Sequence, residues 1–421
     1  MTTLEQTPEA KTPYDVRWQR IMDCVALKQP DRMPAILYAT FWLAKYGGIT
    51  CKELMYNYEK TMEISVRAVL EFEPDAASNL ITFTTMGKSM EAMGLKTIRW
   101  PGHGVGENQP YQYLDREYMK ADEYDEFIFD PTGYYIRKFL PQVAEAFEGF
   151  AHLPAFPTLS GLRAITGIRA FAKPEVRASL LRLMDAAQEV EKWGSHAAEF
   201  EKSIKAHGYP LIAVTLAGNP YDAVADYWRG GVNIMKDLFR HKEKILASMD
   251  KVDGYMRDQI IAAAKASGHP IVMITTHWHA DAFMSPKQFE TFYWPPIRKH
   301  MMAFIDAGLI PMVLWEHDCT RRMETIADVP AGKCIYWFER TENILRAHEI
   351  MGDKVALRGG IDASTMVTGR PEDVDSAVKS IVEKVWAKGG KLMLDCGIGI
   401  PDETPVENVR AMFGAARKYA G

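Results

Sequence analysis

Ile310-Pro311-Met312-Val313-Leu314-Trp315-Glu316-His317-Asp318-Cys319 decides the reading of this chain. Its first six residues are apolar without alternation, as expected of a parallel strand buried on both faces. The run then breaks into four polar residues, three of which can bind a metal. A second stretch, Leu392-Met393-Leu394-Asp395-Cys396-Gly397, follows the same course from apolar strand to acid, cysteine and glycine.

Outward from these two, the pattern repeats. Further strands are expected at Met33–Leu37, Ala76–Ile81, Leu211–Leu216, Ile271–Thr275, Cys334–Phe338 and Val355–Gly359, with the quoted runs read as Ile310–Trp315 and Lys391–Cys396. Amphipathic stretches lie between them, among them Lys52–Phe72, Tyr221–Lys265, Pro286–Ala307 and Pro371–Lys388. Pro286 and Pro371 suit the first turn of a helix, where the missing N–H is not needed. Eight such strands alternating with helices predict an α/β fold, a (β/α)₈ TIM barrel, over a doubly wound sheet. Residues 1–15 are expected to form a mobile arm and 16–421 a single catalytic domain. Residues 82–210, including the aromatic, loop-like Trp100–Tyr135, read as an elaboration between strands two and three near the barrel mouth.

The 421 residues are 47% hydrophobic and 25% charged, which is ordinary globular composition. A net charge of −5 gives no electrostatic case for nucleic acid or an anionic membrane as partner. Met1–Pro13 lacks the apolar segment of a signal peptide, and no run is long enough to span a bilayer. The five cysteines, at 24, 51, 319, 334 and 396, are too sparse for a disulfide framework. They fit a reducing, cytoplasmic compartment. Cys24, Cys51 and Cys334 read as packing residues.

In a barrel all strand C-termini converge on one face, so His317, Cys319 and Cys396 can meet there. Two thiols and an imidazole suit zinc, and three protein ligands leave a fourth position for substrate. The bland alternative is a polar histidine and two packed cysteines. Glu316 is a candidate fourth, oxygen ligand, or an acceptor that orients the histidine ring. Asp318 and Asp395 flank ligands and read as supports. His277, His279 and Asp281, in Thr275-Thr276-His277-Trp278-His279-Ala280-Asp281, follow another predicted strand. At alternate positions of an extended segment they would face one side, as candidates for substrate binding or proton transfer. Tyr38, Phe41 and Trp42 either line an apolar pocket or belong to the core.

Four stretches carry a resemblance to the uroporphyrinogen decarboxylase superfamily: Phe283-Met284-Ser285-Pro286-Lys287-Gln288-Phe289, Gly359-Gly360-Ile361-Asp362, Thr368-Gly369-Arg370-Pro371-Glu372-Asp373-Val374 and Pro405-Val406-Glu407-Asn408-Val409-Arg410-Ala411-Met412. That resemblance implies a (β/α)₈ barrel. One branch, the zinc-dependent, corrinoid-linked methyltransferases, is marked by His-x-Cys and a distant second Cys, matched here by His317-Asp318-Cys319 and Cys396. It implies a zinc ion, a corrinoid (cobalamin) carried by a partner protein, a small-molecule methyl donor or thiol acceptor, and O-demethylation as one use. A homodimer is compatible with it. The decarboxylase branch, which needs no metal, is the alternative. Its enzyme grips a polycarboxylate with an Arg-Gln-Ala-Gly-Arg motif. Here Arg32 and Pro34 remain, but Ala35–Thr50 contains no arginine. A non-catalytic zinc scaffold is disfavoured by the open ligand count.

Overall fold

A computed structural model describes residues 11–421. The first helix, Pro13–Val25, starts inside the segment expected to be a mobile arm. Thr12 caps it: its hydroxyl accepts the Asp15 N–H while the Asp15 carboxylate takes the Thr12 N–H, and Pro13 fills the first turn. This reciprocal capping box stabilises a helix start that composition alone does not reveal. Residues 1–10 of the expected arm lie outside the described residues.

Eight parallel strands organise the chain: β1 Ile36–Leu37, β2 Ala76–Ala77, β3 Thr215–Ala217, β4 Ile271–Thr276, β5 Ile310–Trp315, β6 Ile335–Phe338, β7 Ala356–Ile361 and β8 Leu392–Cys396. Six of them form one sheet in the order β8-β7-β6-β5-β4-β3, and β1 pairs with β2. Isolated bridges run from the two-stranded sheet to β8 on one side and to the segment that precedes β3 on the other. Ala35 bridges Leu394, whose N–H donates to Pro34 O at 2.8 Å, and Ala77 bridges Leu211. The early strands are shorter than their apolar runs predict. After Ala77 the chain turns: Asn79 Oδ1 takes the Ile81 N–H at 3.2 Å, and Thr82 N–H donates to Asn79 O. Such an Asx turn competes with the ladder for the same backbone donors.

Both faces of β4 to β8 are buried, as the uninterrupted apolar runs require, whereas Leu216 of β3 is exposed. Val272, Ile274, Val313, Trp315, Leu357 and Leu394 pack outward among the helices. The alternate residues Ile271, Met273, Met312, Leu314, Trp337 and Met393 form a second core on the other face. Arg358 and Asp395, both without solvent exposure, share that inner face.

The helices are more segmented than expected. Lys52–Phe72 breaks at Asn57, which ends Cys51–Tyr56 and caps Tyr58–Phe72 through its own side chain. The long stretch from Tyr221 divides into Pro220–Val224, a π-turn at Ala225–Arg229, Gly231–Arg240 and Lys242–Ser267. Gly230, at φ +70°, supplies the left-handed backbone for the first break. Residues 82–210 hold a small three-stranded sheet (Ile98–Pro101, Gly104–Val105, Gln112–Tyr113), several short helices and the 33-residue helix Pro174–Ala206. No helix among the described residues is long and apolar enough to cross a membrane.

Candidate functional site

Polar residues collect where β3 to β6 and β8 end. After β3, Asn219 caps the short helix Pro220–Val224, its Oδ1 accepting the Asp222 N–H at 3.0 Å. Its amide donates to Asp222 Oδ2 at 2.6 Å and to Thr275 O at 3.1 Å. Asp222 Oδ2 also accepts the Tyr293 hydroxyl at 2.9 Å and the His277 N–H at 2.7 Å. This fully buried aspartate therefore ties the segment after β3 to the segment after β4.

His277 is the hub of the site. Its Nδ1 lies 2.6 Å from Asp226 Oδ2, and its Nε2 lies 3.8 Å from Glu316 Oε1. Asp226 Oδ1 takes the Trp278 indole N–H at 2.5 Å. Burial alone would lower the imidazole's pKa, but the hydrogen bond to Asp226 and the charges of Asp222, Asp226 and Glu316 raise it to about 10. The surrounding acids thus favour the imidazolium form of His277. Glu316 is pushed up to about 7, chiefly by burial, with His277 opposing and Asp222 adding to the rise.

The three residues expected to share one face are separated, because the chain leaves strand geometry after Thr276 and turns. His279 enters the core edge-on to Trp315, with centroids 5.1 Å apart, and neither ring nitrogen has a hydrogen-bond partner. Burial, then His317 and Arg322, lower its pKa to about 3, so it is neutral. Asp281 pins the loop after β5. Its Oδ2 accepts the Arg321 N–H at 3.0 Å and its Oδ1 lies 3.3 Å from Arg322 Nε.

His317, Cys319 and Cys396 follow or end β5 and β8. His317 is half-exposed and left-handed, at φ +60°, a conformation rare enough in a non-glycine residue to mark functional sites. Its N–H donates to Glu339 Oε2 at 2.5 Å, and Asn343 donates to both His317 O at 3.0 Å and Cys319 Sγ at 3.4 Å. Both cysteines are buried, and burial pushes each thiol well above its ordinary pKa. Cys396 is gripped through its backbone: its N–H donates to Asp395 Oδ1 at 2.8 Å and its carbonyl accepts from Trp337 Nε1 at 3.4 Å.

Among the described residues, the three metal-capable side chains that bring ligand atoms within 4.8 Å of one another are Asp222, Asp226 and His277, not His317, Cys319 and Cys396. The former set is not built for a cation. Asp222 Oδ2 already accepts three donors, both Asp226 oxygens are engaged, and His277 Nδ1 is turned to a carboxylate. It is a histidine held by acids.

Asp222, Asp226, Asn219, Glu339 and Asn343 were not among the sequence candidates. Two signals point to some of them. Asp222 and Asp226 are four apart in the first turns after a predicted strand, and Glu339 follows Phe338 as Glu316 follows Trp315.

Comparison with known proteins places this site in context. The uroporphyrinogen decarboxylase (URO-D) family profile matches residues 178–419. The uroporphyrinogen decarboxylase of Coxiella burnetii (strain RSA 493 / Nine Mile phase I) is 25% identical over 223 residues, which cover 51% of this chain and 59% of that protein. That of Aromatoleum aromaticum is 24% identical over 267 residues, covering 60% of this chain and 68% of that protein. The chain thus spans only 59% of the length of the first of these relatives. A methyltransferase from Methanosarcina mazei shares the fold, with a TM-score of 0.59 and 17% identity over 96% of this chain and 98% of that one.

Proposed function

Because the chain belongs to the uroporphyrinogen decarboxylase family, we propose that it is a (β/α)₈-barrel methyltransferase that moves a methyl group between a small molecule, a methyl ether or a thiol, and a corrinoid carried by a partner protein. The barrel reading is supported by the hydrogen bonds that join the start of β1 to β8, and β2 to residues 210–212 just ahead of β3. The fold shared with a methyltransferase also supports it.

The observation that carries the function is the charge of the strand ends. Asp222, Asp226, Glu316 and Glu339 cluster there around His277 and His317. A polycarboxylate such as uroporphyrinogen needs cations at that place. Carboxylates packed around His277 make a poor seat for it, which favours methyl transfer over decarboxylation.

Zinc fits the donor chemistry of His317, Cys319 and Cys396: two sulfurs and an imidazole, at the ends of two strands. The thiols are held neutral by burial, and binding would require them to give up protons. When bound, zinc supplies either a Lewis acid or a nucleophilic thiolate at neutral pH. Asn343 would orient the Cys319 sulfur, and Asp395 with Trp337 would hold the Cys396 backbone. Glu316, turned toward His277, is better read as that residue's partner than as a fourth ligand. Of His277, His279 and Asp281, His277 is the one placed to meet substrate, since it alone keeps a ring nitrogen toward the strand ends. The test is methyl transfer to or from free cobalamin by the purified chain, measured against zinc content. A zinc-loaded chain inactive in both directions would refute the reading.

A further inference from the structure

His277 is fixed at two points. Its backbone N–H is held by Asp222 at 2.7 Å and its Nδ1 by Asp226 at 2.6 Å. Asp222 is braced by Asn219 and Tyr293, and Asp226 by the Trp278 indole. A ring flip would exchange a charge-assisted hydrogen bond for a C–H against a carboxylate. Nε2 is therefore the nitrogen left to face the strand ends, 3.8 Å from Glu316. Asp226 takes the Nδ1 hydrogen at 2.6 Å, and the surrounding acids raise the ring's pKa to about 10, which favours hydrogen on both nitrogens.

We propose that Asp226 is a positioning residue that presents His277 Nε2–H to the leaving oxygen of a methyl ether. The inference rests on the methyltransferase reading and narrows its substrate class. A thiol acceptor must give up a proton, and a histidine protonated on both nitrogens has no lone pair to take it. An ether oxygen needs the opposite. The methyl C–O bond breaks with its electron pair left on oxygen, and the methyl carbon is taken by the electron pair of the reduced corrinoid on the partner. The oxygen accepts the Nε2 proton. The alcohol or phenol leaves neutral, and His277 remains neutral with Nδ1–H on Asp226. Its side chain is 37% exposed, so solvent can return the proton.

The test uses the full chain, reduced cobalamin as acceptor and three methyl donors: anisole, 4-nitroanisole and trimethylsulfonium. The first leaving group needs a proton most. The second needs it less, and the third departs neutral without one. His277→Gln should lose about 100-fold on anisole, and at least tenfold less than that on the sulfonium, with 4-nitroanisole between them. Asp226→Asn should follow the same order, and Asp226→Glu should recover part of the loss. Nitrogen NMR should find His277 Nδ1 protonated in the native chain and a mixture of ring forms in Asp226→Asn. Equal losses on all three donors, or no loss on anisole, would overturn the proposal. So would a native chain that methylates a thiol but demethylates no ether, although the broader reading would then stand. Absence of any methyl transfer would remove both.

Discussion

Two N–H groups of Arg358 converge on one oxygen of Asp395, at 2.7 and 2.9 Å, and neither side chain reaches solvent. The guanidinium also lies 3.6 Å above the Trp337 ring. The other Asp395 oxygen holds the Cys396 N–H. One ion pair thus links the inner core to a proposed metal ligand. Arg358→Met would strand a buried carboxylate, a change that costs about 3–5 kcal/mol. Arg358→Met with Asp395→Leu should recover most of that, since an apolar pair of similar volume is often neutral. Urea midpoints of the single and double variants decide it. A double variant no more stable than the single would contradict this account.

The purified chain should carry roughly one zinc ion, and Cys396→Ser should lose most of it. Elemental analysis checks both. Metal retained at full stoichiometry in Cys396→Ser and in Cys319→Ser would remove the assignment.

His279 sets an acid limit on stability. Its folded pKa is about 3, against an ordinary 6.5 or so in the unfolded chain. Between these values the unfolded state binds the extra proton, so stability falls as pH drops below the unfolded value. The loss at pH 5 should approach about 2 kcal/mol. His279→Phe removes the titrating group, and with no hydrogen bond to break it should keep the packing against Trp315. Urea midpoints at neutral pH and at pH 5 should diverge less in the variant than in the native chain. Equal acid losses in both would show that other groups set the limit.

Uroporphyrinogen should be neither bound nor converted. The acids at the strand ends oppose its carboxylates, and Ala35–Thr50 offers no arginine to grip them. Formation of coproporphyrinogen by the purified chain would reverse the ranking of methyl transfer over decarboxylation.

The strands were legible because burial on both faces leaves an unbroken apolar run. β5 spans Ile310–Trp315, as its sequence indicates. Their ends were less so where short-range polar bonds intervene, as at Asn79. The site was legible where a strand runs directly into polar residues, which is how Glu316, His317 and Cys319 stand out. It was illegible where function depends on where a turn points. His277 and His279 are equivalent in sequence, yet one meets Asp226 and the other Trp315. Asp222 and Asp226 fall within Tyr221–Lys265, a stretch whose sequence reads only as amphipathic. The fold shows that this stretch starts against the His277 loop.

The π-turn at Ala225–Arg229 contains Asp226 but not Asp222. A π-turn holds one residue more than the α-helical turn it replaces. Removing Ala225, the one residue of that turn between the two aspartates, would carry Asp226 about 100° around the helix axis. Asp222 would keep its loop, while the carboxylate beside His277 would swing away. The pairing of acid and histidine therefore depends on chain length as much as on residue identity. Relatives that keep both aspartates but lack that residue would keep the scaffold and the histidine without the acid that positions it, a loss that counting matched side chains would never detect.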